Sequence, residues 1–403
     1  MIRFQTALEI VLQHASRLPI TRIALEEALG LVLAQDVTAD VNMPPFHRSS
    51  MDGYAVRAED LTPLPATLEV VGTVPAGSYP DFTLRRGQAA RIMTGAPLPE
   101  GADSVQIVEK TRILEDGKVE ISEDVKPGAN VTPQGSEARL GEVVARSGSF
   151  ISPALIGLLA AVGQKYVAVY LRPSVAVVAT GNELVDIEEE PVAGQIRNSN
   201  SYGLSTQIRL AGGEPVALGV ARDKKDELRS LIEQGLDYDL LLLSGGVSMG
   251  DLDLVKEVFH AAGIEILFDK VAVKPGKPVV FGKQDRRLVF GLPGNPVSAA
   301  TMFELLVRPA MRKMMGFPVH QNQIIAARLV ESFINRSNRE YYAPAWTWYE
   351  NAEFHVQPLK SKGSGDVVTY AQSNSYLICP IERMEFFGGE MMQTMLRTEF
   401  FYQ

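Results

Sequence analysis

Hydrophobic and polar positions change period several times along this chain, and each change marks a different kind of element. Near the start, Ala7, Ile10, Val11 and His14 follow the i, i+3, i+4, i+7 spacing of an amphipathic helix. Leu25, Ala28 and Leu29 extend the helical reading, with Gly30 placed as its C-cap. From about 44 to 128 the texture becomes short β-rich runs (LEVVGTV, AARIMTG, SVQIVEKTRIL, KVEIS) between Pro and Gly turns, which predicts a small all-β domain. Residues 150–162 are helical again and are expected to pack with the N-terminal helices, making the β domain an insertion in a helical one.

Between 173 and 316 the two periods alternate. SVAVVAT, EPVALGVA, DLLLLS and LVFGLPG read as strands, and 203–210, 226–234, 251–260 and 297–315 as helices. Leu228, Leu231 and Ile232 share one helical face, and Leu254, Val255, Val258 and Phe259 another. Strands apolar throughout, alternating with amphipathic helices, imply a parallel-rich sheet covered on both faces. The C-terminal stretch, with turns such as KGSGD and FFGGE, reads as a second small β domain. The predicted class is therefore multidomain α/β plus β. A three-layer α/β domain spans 172–317, the inserted β domain 44–137, a helical linker domain 1–43 with 138–171, and a C-terminal β domain 318–403.

Composition narrows the partners. The chain has 403 residues, 46% hydrophobic and 22% charged, an ordinary globular balance. Its 39 basic and 48 acidic residues give a net charge of −9, and no dense Lys/Arg run offsets it, which disfavours nucleic acid and anionic membranes. The longest apolar stretch, 153–163, is about half of what a membrane span needs. The N-terminus mixes both charge signs rather than resembling a signal peptide, so a soluble cytoplasmic protein is expected. Cys379 stands alone, which excludes an intrachain disulfide and a multi-cysteine metal site. His14, His47, His260, His320 and His355 show no metal-ligand spacing and read as ordinary surface or core residues.

Chemistry concentrates at strand-to-helix junctions, where open α/β sheets bind ligands. Thr180-Gly181 follows one strand and presents Glu183. Ser244-Gly245-Gly246 follows another, with Gly250-Asp251 opening a helix. Pro293-Gly294-Asn295-Pro296 is a rigid turn before a helix carrying Ser298. Any one of these could be a plain tight turn. Three in one sheet, each with hydroxyl, amide or carboxylate groups, suit an anion or phosphate. Lys274 and Lys277 flank a Pro-Gly turn and either point at one compact anion or are solvated surface lysines. Glu183, Asp251 and Asp253 offer hard oxygens of the kind Mg²⁺ accepts beside phosphate, although Asp251 could equally be a helix N-cap. In the β insertion, the runs around Arg48, Ser49, Ser50, Asp52 and Tyr54, and around Thr94 and Glu100, are either elaborate turns or binding loops.

Taken together, seven ordered strings (PPFHRSSMDGYAVR, TGAPLPEGADSV, ATGNEL, GQIRNSNSYGL, LSGGVSMGDLDLVK, VKPGKPVVFG and GLPGNPVSA) and a later GSGDVVTYAQSNSYL resemble the MoeA family, the molybdopterin molybdenumtransferases related to the C-terminal domain of gephyrin. That resemblance implies a transferase of molybdenum cofactor biosynthesis that binds adenylylated molybdopterin and molybdate, uses Mg²⁺, and inserts the metal with release of AMP. It also implies an elongated homodimer of four domains per chain, the last β-barrel-like. Contacts with molybdopterin adenylyltransferase and with acceptor molybdoenzymes are further implied partners. By motif, Asp52 and Thr94 would be the insertion's contributions to the site. Glu183 and Asp251 would be the acidic catalytic or metal-binding groups. Lys274, Lys277, Pro278, Ser298 and Ser364 would hold the oxyanion, with Thr180, Ser244, Gly245, Gly246, Pro293, Asn295 and Pro296 lining the substrate site.

The chain departs from the family pattern at His47, Ser50, Asn182 and Ser136. It departs most at Ser337–Ala343, where the family's Gly-Arg-x-Glu-Phe-x-Arg becomes Ser-Asn-Arg-Glu-Tyr-Tyr-Ala, with Arg336 and Arg339 nearby. Two other readings fit the sequence less well. Adenylyl transfer to molybdopterin resembles the α/β domain alone and lacks the insertion's strings. A non-catalytic scaffold has no need of Glu183, Asp251, Lys274 and Lys277.

Overall fold

The computed structural model of the chain describes residues 1–222, 224–247 and 252–402. It divides into two compact units, one of Met1–Ala34, Gly148–Ile151 and Val167–Gln403, the other of Gln35–Ser147 and Ser152–Tyr166.

The first unit is built on a six-stranded sheet in the order Glu214–Ala221, Ser174–Thr180, Leu240–Ser244, Arg287–Leu292, Pro278–Gln284, Glu265–Lys270. The first four strands are parallel to one another, and the last two join through antiparallel pairings, so only Pro278–Gln284 runs against the rest. The apolar runs follow from burial on both faces. Val175, Val177, Leu240 and Leu242 enter one core, while Ala176, Val178, Leu241 and Leu243 enter the other. At roughly 1.5–3 kcal/mol per fully buried Val or Leu, no polar residue could replace one of these without a large loss. Helices Lys225–Gly235 and Leu252–Ala261 cover one face through Leu228, Ile232, Val255, Val258 and Phe259. Ser199–Leu210 and the rod from Pro296 cover the other through Leu204, Ile208, Met302 and Phe303.

Two local expectations change, and one strand is added. Pro278–Gln284, given no element by the sequence pattern, forms an antiparallel strand beside Arg287–Leu292. The single helix expected over 297–315 is Pro296–Met302, a π turn Phe303–Val307, and Arg308–Met314. The helix expected around Leu25 is one 3₁₀ turn, Leu25–Glu27, after a strand Ile20–Ala24. Ile20, Thr21 and Ile23 are β-branched and favour extended backbone. Ala28 caps the turn, while Gly30, expected as the C-cap, stands at φ +80° and donates to the Ile151 carbonyl instead. The opening helix, Phe4–His14, buries Ala7, Leu8 and Val11.

C-terminal to the rod, strands Glu340–Glu350, Glu353–Pro358, Ile324–Leu329, Met391–Leu396 and Ser375–Cys379 pair in that order, and the last pairs back on the first. The closed, barrel-like sheet encloses Ala327, Leu329, Ala343, Val356, Leu377 and Cys379. Val273–Lys274 adds to its edge, parallel to Glu340–Glu350, with Lys274 opposite Tyr341.

The second unit holds another six-stranded sheet, in the order Ser104–Ile107, Gly53–Val56, Gln88–Ile92, Ala66–Val74, Lys118–Ile121, Thr111–Ile113. Five of these strands fall in the short β-rich runs of the sequence, and Gly53–Val56 lies outside them. Helix Pro153–Ala161 belongs to this unit. Ser152 caps it by accepting from the Leu155 amide, and proline stands at its first position. Among the described residues, no helix is long and apolar enough to cross a membrane.

Candidate functional site

The parallel strands end level. Ala179 lies opposite Ser244, and Ser244 opposite Leu292, so the three junctions leave the sheet together at the carboxyl ends of its parallel strands. They line a cleft of about 650 Å³ that holds Thr180, Glu183, Ser244, Gly245, Gly246, Pro293, Asn295 and Pro296 of the predicted set. Gly245 sits at φ +100°, and a Cβ there would lie 2.6 Å from the Thr180 carbonyl oxygen, so only glycine lets the loops approach this closely. Thr180 is 7% exposed, and its hydroxyl has no hydrogen-bond partner among the described residues. A buried polar group of this kind is costly unless a ligand engages it. Asn200 ties two of the loops together, its Nδ2 donating to Ser244 Oγ and to the Gly294 carbonyl, each at 2.8 Å. Glu183 is exposed on the cleft wall. Asp251 lies outside the described residues, and so does the side chain of Asp253.

A second cleft of about 300 Å³ shares Pro278, Pro293 and Asn295 with the first, so the two adjoin. Its wall carries Lys274, Lys277 and Arg339, with Ser298, Ser361, Ser364 and Tyr341, and no carboxylate among the described residues. Gly276, at φ +121°, packs so close to the helical rod that a Cβ would lie 2.4 Å from Met302 Sδ. Register places Lys274 beside Tyr341, and its Nζ stands 4.3 Å from the ring centroid. Burial, and then the charge of Arg339, pull the Lys274 ammonium below its ordinary pKa. Arg339 donates from Nη1 to the Val273 carbonyl at 3.1 Å, and burial lowers its guanidinium too. Ser298 is almost fully buried at the start of the rod. Ser364 accepts from Asn295 Nδ2 at 2.7 Å, and its carbonyl accepts from the Val297 amide at 3.1 Å. Those bonds fasten the 361–365 loop of the barrel domain to the junction at the carboxyl ends of the parallel strands. Beneath Tyr341, burial pushes the Cys379 thiol up to about 12.

Asp52 and Thr94 belong to the other unit. There they are partners, with Asp52 Oδ1 accepting from the Thr94 amide at 2.7 Å and the Thr94 hydroxyl at 2.8 Å. These bonds hold the exposed Asp52 carboxyl below its ordinary pKa. Sequence reasoning passed over Asn200, Ser361 and Tyr341, and left Arg339 without a role. Asn200 sits inside a quoted motif, and its neighbour Asn198 caps the helix at 199. Of the two positions where the resemblance expects arginine, Asn338 is exposed and Ala343 is 1% exposed in the barrel core. Arg336 is exposed and absent from the wall that Arg339 joins.

Three family models match in order. They are described as MoeA N-terminal region (domain I and II) over residues 2–163, probable molybdopterin binding domain over 176–313, and MoeA C-terminal region (domain IV) over 326–393. A molybdopterin molybdenumtransferase of Staphylococcus epidermidis is 34% identical over 400 residues, covering 98% of this chain and 95% of the relative. One from Staphylococcus aureus is 34% identical over 403 residues with the same coverage. The crystal structure of the molybdopterin biosynthesis MoeA protein from Pyrococcus horikoshii OT3 superposes with a TM-score of 0.86 at 30% identity, covering 98% of this chain and 100% of that one. Matches that run the length of the chain, in sequence and in fold, leave one assignment: the chain belongs to the MoeA family of transferases, the molybdopterin molybdenumtransferases.

Proposed function

We propose that this enzyme inserts molybdenum from molybdate into adenylylated molybdopterin and releases AMP. The observation that carries the reading is the shared wall of the two clefts. A glycine-lined cleft suits phosphates and a flat heterocycle, and a pocket beside it that is cation-rich, with no acid among its described residues, suits a compact oxyanion. Pro278, Pro293 and Asn295 between them would put molybdate next to the dithiolene of a bound pterin.

In this reading Lys274, Lys277, Ser298 and Ser364 hold molybdate, while Thr180, Ser244 and the Gly245-Gly246 amides take the phosphate and adenylate end. Water adds to a phosphorus of the phosphoanhydride as the bridging P–O bond breaks, and AMP leaves. Positioning and electrostatics carry the step, with no protein nucleophile. Among the described residues no group of three or more His, Cys, Asp or Glu side chains could cage a metal. Mg²⁺ is commonly held by one or two carboxylates plus substrate phosphate, and Glu183 beside the unpartnered Thr180 hydroxyl fits that donor set. Asp251 would be the second carboxylate. When bound there, Mg²⁺ would polarise the phosphoanhydride. The four-domain layout, a cytosolic homodimer, a role for Asp52 and Thr94, and contacts with the adenylyltransferase and acceptor enzymes belong to the same proposal and rest on the family.

Loading the protein with adenylylated molybdopterin and adding molybdate and Mg²⁺ should release AMP well above a protein-free control. No release above that control overturns the reading. Rapid adenylylation of molybdopterin from Mg-ATP by this protein alone would favour the adenylyltransferase instead.

A further inference from the structure

The strand Glu340–Glu350 sorts charge by face as it starts. Arg339 and Tyr341 line the oxyanion pocket, whereas Glu340 and Tyr342 line a separate cleft with Arg3 and Glu382. Glu340 accepts there from the Tyr342 hydroxyl at 3.1 Å. The acid nearest in sequence to Arg339 is therefore turned away from the pocket. Among the described residues, Lys274, Lys277 and Arg339 form no ion pair with any carboxylate. Lys274 and Arg339 are half-buried, and the charge of Arg339 disfavours that of Lys274. Two crowded, partly desolvated cations without a counter-ion are costly in the empty protein and favourable once an anion arrives. Arg339 is also fixed in place, since its bond to the Val273 carbonyl ties it to the residue before Lys274.

We propose that Arg339 is the charge-selecting residue of this pocket, adding the third positive charge that makes it prefer a tetrahedral dianion to a monoanion of similar size. The inference rests on reading the pocket as an oxyanion site. Stripping water from an anion costs roughly in proportion to the square of its charge, whereas attraction to a fixed cation grows only linearly. Two cations can hold a monoanion, but a dianion needs more positive charge to offset about four times the dehydration cost. Removing one fixed cation subtracts about twice as much attraction from a dianion as from a monoanion. An n-fold loss for the monoanion thus becomes about an n²-fold loss for the dianion. Arginine suits the task because it stays charged at any working pH, and its planar fork can grip two oxygens of one tetrahedron.

The test is calorimetric titration of the full-length protein with tungstate, a dianion, and perrhenate, a monoanion of nearly the same size, at one pH and salt concentration. Arg339→Gln should weaken perrhenate about threefold and tungstate about tenfold, shrinking the preference for the dianion. Arg339→Lys, which keeps the charge, should retain most of that preference. Arg339→Met, which keeps the packed aliphatic stem, replaces the glutamine variant if that one does not fold. Equal losses for both anions, tungstate affinity within twofold of wild type, or loss of the preference in Arg339→Lys would each overturn the proposal. If wild type binds neither anion, the oxyanion reading itself fails, an outcome distinct from a wild type that binds and a variant that does not differ.

Discussion

The two adjoining clefts are made by opposite means. The larger is a product of backbone. Three strands end in register, and glycines let their loops close to van der Waals limits, with Asn200 as a cross-tie. The smaller is a product of side chains from distant sequence. Lys274 comes from the segment before one sheet strand, Ser298 from a helix, and Arg339 and Ser364 from the barrel domain. Backbone sites tolerate little change but ask little of charge. Side-chain sites can be retuned one residue at a time, because no strand or helix depends on their charged ends. Stability should therefore be concentrated in the glycine cleft and ligand selectivity in the cation pocket.

The sharpest way to break that contrast is Gly245→Ala. The new methyl would meet the Thr180 carbonyl at 2.6 Å from a backbone at φ +100°. Strain and overpacking together should cost roughly 3 kcal/mol of folding stability, read as a lower denaturation midpoint, and AMP release should be lost. A variant as stable as wild type would mean that the loops relax easily and the cleft is not backbone-built.

Lys274→Ala should do the reverse. Losing one charged contact to the oxyanion should weaken molybdate by about 10- to 100-fold, since such contacts are worth roughly 1.5–3 kcal/mol. Thermal stability should stay within about 2 °C, because the ammonium is already disfavoured by burial and by Arg339. A large drop in melting temperature would make that lysine a structural post against Tyr341 instead.

How much of this contrast was legible beforehand follows from its physics. The sheet could be read because Val175–Val178 and Leu240–Leu243 are buried on both faces and leave a continuous apolar signature. The glycine junctions were visible for the same local reason. The cation pocket was only half visible. Lys274 and Lys277 are close in sequence, but Arg339 reaches the pocket by pairing with a segment 66 residues away, and Asn295 meets Ser364 across 69. No local periodicity encodes such pairings. Family likeness pointed to Ser364, but it also pointed to two arginine positions that this fold does not use. The π turn at Phe303–Val307 was hidden too, because its residues are as apolar as a regular helix requires, save Glu304. That carboxylate is buried and accepts from Gln207 at 3.0 Å and Asn322 at 2.8 Å, a network no spacing rule announces.

A gentler probe separates binding from stability by pH. The folded-state pKa of Lys274 lies below its ordinary 10.5, so between the two values the unfolded chain binds more protons than the folded one. Across that alkaline window the lysine's contribution to apo stability rises with pH. Molybdate, which needs the ammonium, should instead bind a few-fold more weakly as pH climbs through the lowered value. Lys274→Ala should flatten that decline. An equally steep decline in the variant would assign it to another group.

The smallest effect should come from Cys379, and its smallness is informative. The thiol lies on the barrel strand opposite Tyr341, close enough to Lys274 for the ammonium to pull its pKa down, yet burial still pushes it up to about 12. At any working pH it is a protonated, fully buried sulfur. If the pocket works by fixed charge alone, Cys379→Ala should leave AMP release within twofold of wild type. It should cost about 1 kcal/mol in stability, the loss of one small buried group. Iodoacetamide should leave the native thiol unlabelled by mass spectrometry. Labelling of the folded enzyme, or a variant that folds but releases no AMP, would mean that the pocket opens to expose a nucleophile. The division between a backbone-built cleft and a purely electrostatic pocket would then fail at its second half.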